Sequence, residues 1–109
     1  MAQDFESTFE TKIMSGSFTS LLTSNSDDAV IGVRFANLHS GSVTVDAKIT
    51  RSAVDYHLIK EAPIPAGGSL ELIDGGSKVV MMNGDVLKAQ ASLTGSVDAI
   101  VSYIDTISE

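Results

Sequence analysis

In the stretch Ser42-Val43-Thr44-Val45-Asp46-Ala47-Lys48-Ile49-Thr50-Arg51, polar and apolar residues alternate without a break from Ser42 to Thr50. A strand sends successive side chains to opposite faces. Val43, Val45, Ala47 and Ile49 therefore share one face, and Thr44, Asp46, Lys48 and Thr50 the other. One face suits a core and the other water, the pattern of an antiparallel strand solvated on one side. A helix, with its period of about 3.6 residues, would scatter the same side chains around its circumference.

The same grammar extends in both directions. Upstream, Ala29 to Asn37 sets Ile31, Val33 and Phe35 against Val30, Gly32, Arg34 and Ala36. Phe18 to Thr23 forms a further strand, closed by the turn-forming cluster Ser24-Asn25-Ser26-Asp27-Asp28. Downstream, Val54 to Glu61 reads as a strand, and Pro63 and Pro65 flank Ile64 as expected of an edge, since proline donates nothing to a ladder. Ala66-Gly67-Gly68, Asp74-Gly75-Gly76, Asn83-Gly84-Asp85 and Thr94-Gly95-Ser96 then punctuate strands at Ser69–Ile73, Lys78–Met82, Val86–Leu93 and Val97–Ile104. On the last of these, Val97, Ala99, Val101 and Tyr103 share a face. About eight short strands at this spacing predict an all-β, antiparallel sandwich, either a jelly roll or immunoglobulin-like.

Residues 1–16 differ from the rest. Phe5, Phe9 and Ile13 recur at i, i+4, i+8 among Asp4, Glu6 and Glu10, a helical spacing, and Thr, Ser and Gly follow. The expectation is a polar N-terminal arm or short helix over 1–16, ordered on a neighbour, and a single sandwich domain over 17–109. On this reading, deleting the arm leaves the fold intact.

Composition narrows the function. The chain has 109 residues, one domain's worth, with 43% apolar and 19% charged residues, as in globular proteins. No apolar run approaches the roughly 20 residues of a membrane-spanning helix, and the first residues resemble no secretory leader, so no membrane partner is expected. A net charge of −7, with seven scattered basic residues, argues against a nucleic-acid partner. Cysteine is absent, which excludes thiolate metal sites and disulfides.

Nothing in the pattern builds a catalytic set. His39 falls in a turn and His57 on a strand, with no third ligand at a zinc-like spacing. Asp27, Asp28, Asp74, Asp85 and Asp105 could offer oxygens to calcium but form no Asp-x-Asp-x-Asp-Gly loop. There is no Gly-x-Ser-x-Gly elbow, and the glycine pairs lack the Lys-Ser/Thr of a phosphate loop. The expectation is a non-enzyme with no metal and no cofactor. What remains is an apolar excess: Val30, Ile59, Val80, Met82, Val86, Ile100 and Ile104 lie opposite the better apolar stripe of their strands. Either some strands are buried on both faces, or these residues meet a partner. Phe5, Phe9, Ile13, Val30, Ile59, Val80 and Met82 are the expected partner or oligomer contacts.

Three stretches occur in order: Ile64-Pro-Ala-Gly-Gly-Ser-Leu-Glu-Leu-Ile73, Gly84-Asp-Val-Leu-Lys-Ala89 and Ser96-Val-Asp-Ala-Ile-Val-Ser-Tyr103. With Val30–Asn37 and Ser42–Val45, they make the chain resemble the small β-sandwich virion structural proteins of tailed bacteriophages over residues 17–105. It departs from them at Leu21-Leu22-Thr23-Ser24-Asn25. The resemblance implies a capsid decoration or cement protein on the capsid surface that bridges capsomers. It implies partners in the major capsid protein, other virion proteins and further copies of itself, expected as a trimer. A neck, tail or fibre component is the alternative it leaves open. A host-surface binding module is a third possibility, which the scarcity of aromatic residues disfavours.

Overall fold

The computed structural model describes residues 4–13, 16–73, 79–93 and 95–105. Nine strands follow in order: β1 (Asp4–Glu10), β2 (Thr19–Thr23), β3 (Asp28–Asn37), β4 (Val43–Arg51), β5 (Val54–Ile64), β6 (Ser69–Ile73), β7 (Val79–Met81), β8 (Val86–Ala91) and β9 (Val97–Asp105). They form two antiparallel sheets. One has the order β1-β9-β3-β6, with β7 also paired to β3, and the other the order β2-β8-β4-β5.

The pairings nest. β4 pairs with β5, β3 with β6 and β7, β2 with β8, and β1 with β9. That is one long hairpin rolled across two sheets, the jelly roll, which resolves the choice left open with the immunoglobulin-like order. Rolling hides the inward apolar faces of both sheets at once. Phe35, Val33, Val45, Ala47, Leu87, Ala89, Val97 and Val101 fill the space between the sheets, each side chain so buried contributing about 1.5–3 kcal/mol if it is as large as Val or Leu.

Three expectations are corrected. The N-terminal segment is neither a helix nor an arm off the body: Asp4–Glu10 is extended and pairs along its whole length with β9, from Asp4↔Asp105 to Glu10↔Ala99. Ile13 is 1% exposed and belongs to the core. Lys12 adopts φ 56° and turns the chain inward, and the Ile13 amide then donates to the Val97 carbonyl at 2.8 Å. Val30, also 1% exposed, is core as well. The register of β3 on β9 shifts between Val30 and Gly32, so Ile31 is an extra residue, and Val30 and Val33 both face inward despite their odd separation.

Turn chemistry fixes the connections. In Pro65-Ala66-Gly67-Gly68 the Gly68 amide donates to the Pro65 carbonyl at 2.9 Å, and Gly67 at φ 68° takes the third position, where a side chain would be strained. Asn37 locks this turn to the β3 end. Its buried Nδ2 donates to the carbonyls of Gly41, Ile64 and Pro65, and its Oδ1 accepts from the His39 amide. The expected Asp74-Gly75-Gly76 turn lies outside the described residues.

Candidate interaction surface

The polar clusters have structural work to do. Asp85, which follows the Asn83-Gly84 turn, is buried, and both its carboxylate oxygens accept from Arg51, at 2.6 to 3.0 Å. It also accepts from the Met82 amide at 2.9 Å. The Arg51 guanidinium, ahead of that amide, holds the Asp85 carboxyl below the usual carboxylate range against the opposing effect of burial. This pair ties the tip of the β4–β5 hairpin to the turn before β8. No sequence signal joins residues so far apart in the chain, although the Asn-Gly-Asp turn marks Asp85 as a special position.

Asp28 is buried and accepts from the Ser24 and Ser26 hydroxyls at 2.9 Å, which orders the loop before β3. Asp55 accepts from Lys48 and Thr50, each at 2.8 Å, and the Lys48 ammonium lowers its pKa. His39 and His57 are both exposed, on the β3–β4 turn and on β5. Among the described residues, no three His, Cys, Asp or Glu side chains gather as a metal site would require.

The unusual surface is the outer face of the five-stranded sheet. Residues directly opposite in a ladder share a face, so the register defines rows running across the strands. The first row holds Phe5 of β1, Ile104 of β9, Ala29 of β3 and Val80 of β7. Phe5 is 78% exposed and Val80 50%, with Ile104 partly exposed between them. Among the described residues, the second row holds Ser7, Ser102 and Gly32. The third runs from Phe9, 68% exposed, through Ile100 to Arg34 and Glu71, whose side chains pair at 2.5 Å. Two ridges thus flank a trough of small residues, and a hollow of about 240 Å³ opens there beside Gly32, Ile100 and Ser102.

Val80 also lines a second hollow, of about 190 Å³, with Ile49, Arg51 and Tyr56 at the end of the sandwich. Met82 is exposed, while Ile59 is half-buried against the core. Of the expected contacts, then, Phe5, Phe9 and Val80 come together on one sheet, Met82 stands at the surface, and Ile13, Val30 and Ile59 pack within the chain. Ile104 and Ile100 complete the ridges. Their placement opposite the Val97-Ala99-Val101-Tyr103 stripe is the sequence signal that marks them.

No protein-family model matches the chain, and no curated protein matches it in sequence. Among solved structures, the infectious bursal disease virus VP2 subviral particle matches with a TM-score of 0.57 and 11% identity, over 95% of this chain. This chain spans 33% of that one. The likeness is one of fold: the chain has an architecture also found in a protein from a viral particle.

Proposed function

We propose that this chain is a non-enzymatic virion structural protein of a tailed bacteriophage, and within the virion a capsid decoration or cement protein. The observation that carries the reading is a jelly roll whose five-stranded sheet turns phenylalanine and isoleucine ridges outward. A lone domain gains nothing from exposing Phe5, Phe9, Val80 and Ile104 in rows, whereas a subunit of an assembly buries them. The ordered stretches from Ile64 to Tyr103 and the fold shared with a protein of a viral particle support the same reading.

The mechanism is thermodynamic linkage. A protein that binds adjacent capsomers of the assembled shell, and not the dissociated subunits, stabilises the shell by mass action. Its partners are the major capsid protein and further copies of itself. The test adds the purified chain to heads assembled without it and follows heat-induced DNA release. The reading predicts saturable binding and a higher release temperature. Binding to tails alone, or no shift at saturation, overturns it.

A further inference from the structure

The ridge-and-trough face identifies one of the partners. We propose that a second copy of this chain packs on the outer face of the five-stranded sheet about a two-fold axis. The Phe5–Ile104–Val80 ridge of each copy then sits in the Ser7–Ser102–Gly32 trough of the other. This deepens the cement reading by naming a contact for its self-association.

Shape is the first argument. Adjacent rows are two residues apart along each strand, about 6.7 Å. A two-fold axis lying between the first and second rows therefore sets each ridge over the partner's trough, and does so reciprocally. Phe5 faces the partner's small Ser7, Ile104 the partner's Ser102, and the small Ala29 the partner's Gly32. Sheets that stack this way keep their strands within about 30° of alignment.

Charge is the second argument. The chain carries a net charge of −7, so two copies repel, and they do so least where the contact buries no charge. Among the described residues, the first two rows contain no ionisable side chain. Among the described residues, the nearest charges on the face, Arg34 and Glu71, neutralise one another and lie in the third row, at the rim. An uncharged centre with a paired polar rim suits contact between identical acidic chains, whereas a basic partner would find no carboxylate in these rows to recognise.

Area sets the strength. Four strands and about seven residues give a face of roughly 19 by 23 Å, which places the contact in the weak, reversible class. Such an isologous contact closes at two copies, whereas the threefold expected from the resemblance needs two different surfaces.

Sedimentation equilibrium of the purified chain tests this between about 10 µM and 1 mM. The expected result is a monomer–dimer equilibrium, weakened at least about tenfold by Phe5→Lys and by Ser102→Lys, but not by Ser20→Lys on the exposed β2 surface. Circular dichroism checks that each variant is folded. Should a lysine variant unfold, a nitroxide on Ser7→Cys replaces it. The label should broaden the Phe5 and Ile104 amides of an unlabelled, isotope-enriched copy. A chain that stays monomeric at 1 mM, forms trimers, or shows broadening elsewhere overturns the inference. So does a monomer whose binding to heads is lost with Phe5→Lys, because the face then belongs to a shell protein. Failure of the purified chain to stabilise heads would instead count against the cement reading and leave a measured dimer standing.

Discussion

Ile13 and Asp85 show how single residues hold the sandwich closed. Ile13 follows a strand that leaves two phenylalanines in water, yet it is one of the largest fully buried side chains. Truncating it should therefore cost what a core cavity costs. We expect Ile13→Ala to lower stability by about 2–4 kcal/mol in urea titrations, whereas an isoleucine on a free arm would lose almost nothing. Asp85 acts through charge. Its carboxyl pKa is depressed in the folded state by Arg51, so its contribution is fully present above the unfolded value, near pH 4, and is lost as pH falls through the folded one. Asp85→Ala should cost about 2–3 kcal/mol at pH 7. The gap between variant and parent should narrow as the pH drops from about 5 to about 2. A gap independent of pH would show that the ion pair contributes nothing.

At the scale of elements, the β4–β5 hairpin and β1 carry the sharpest expectations. Arg51 pairs with Val54, which leaves the two-residue loop Ser52-Ala53, and both residues sit at positive φ, 53° and 64°. Such a turn favours Asn-Gly. Replacing Ser52-Ala53 by Asn-Gly should stabilise the chain by about 1–2 kcal/mol, read from the thermal midpoint. Deleting residues 1–10 should do the opposite. It strips β9 of one of its two ladder partners, and we expect a thermal midpoint lower by more than about 8 °C together with aggregation through the bared edge. An unchanged midpoint would restore the idea of a dispensable arm.

These two elements also show what the sequence could tell. The alternation in β4 is legible because one face is core and the other water, and its buried Val43, Val45 and Ala47 are the residues the pattern selects. β1 is not, because a spacing of four is a multiple of two. Phe5 and Phe9 share a helix face and a strand face alike, and the positive φ at Lys12 that sends Ile13 inward leaves no trace in composition. Val30 fails for a similar reason, since a bulge shifts parity without a glycine or proline at the extra residue. The outer ridges are half legible. Val80, Ile100 and Ile104 stand out as apolar on the wrong parity, but only the register joins them to Phe5 and Phe9 in rows.

For the whole molecule, nested pairing makes the first and last strands neighbours: β1 and β9 close the roll and present its outward ridges together. A domain held by such distant contacts is stable only as a unit, a suitable trait for a subunit that must sit on a particle without opening. The fold alone does not assign that role, since jelly rolls also serve sugar-binding and cupin proteins. The location of the chain decides it. Purified virions separated into heads and tails, with the chain quantified in each by mass spectrometry, give the most direct answer. The account predicts recovery with heads, at a copy number comparable to that of the capsomers. Recovery with tails at a few copies per particle, or absence from both fractions, would contradict it.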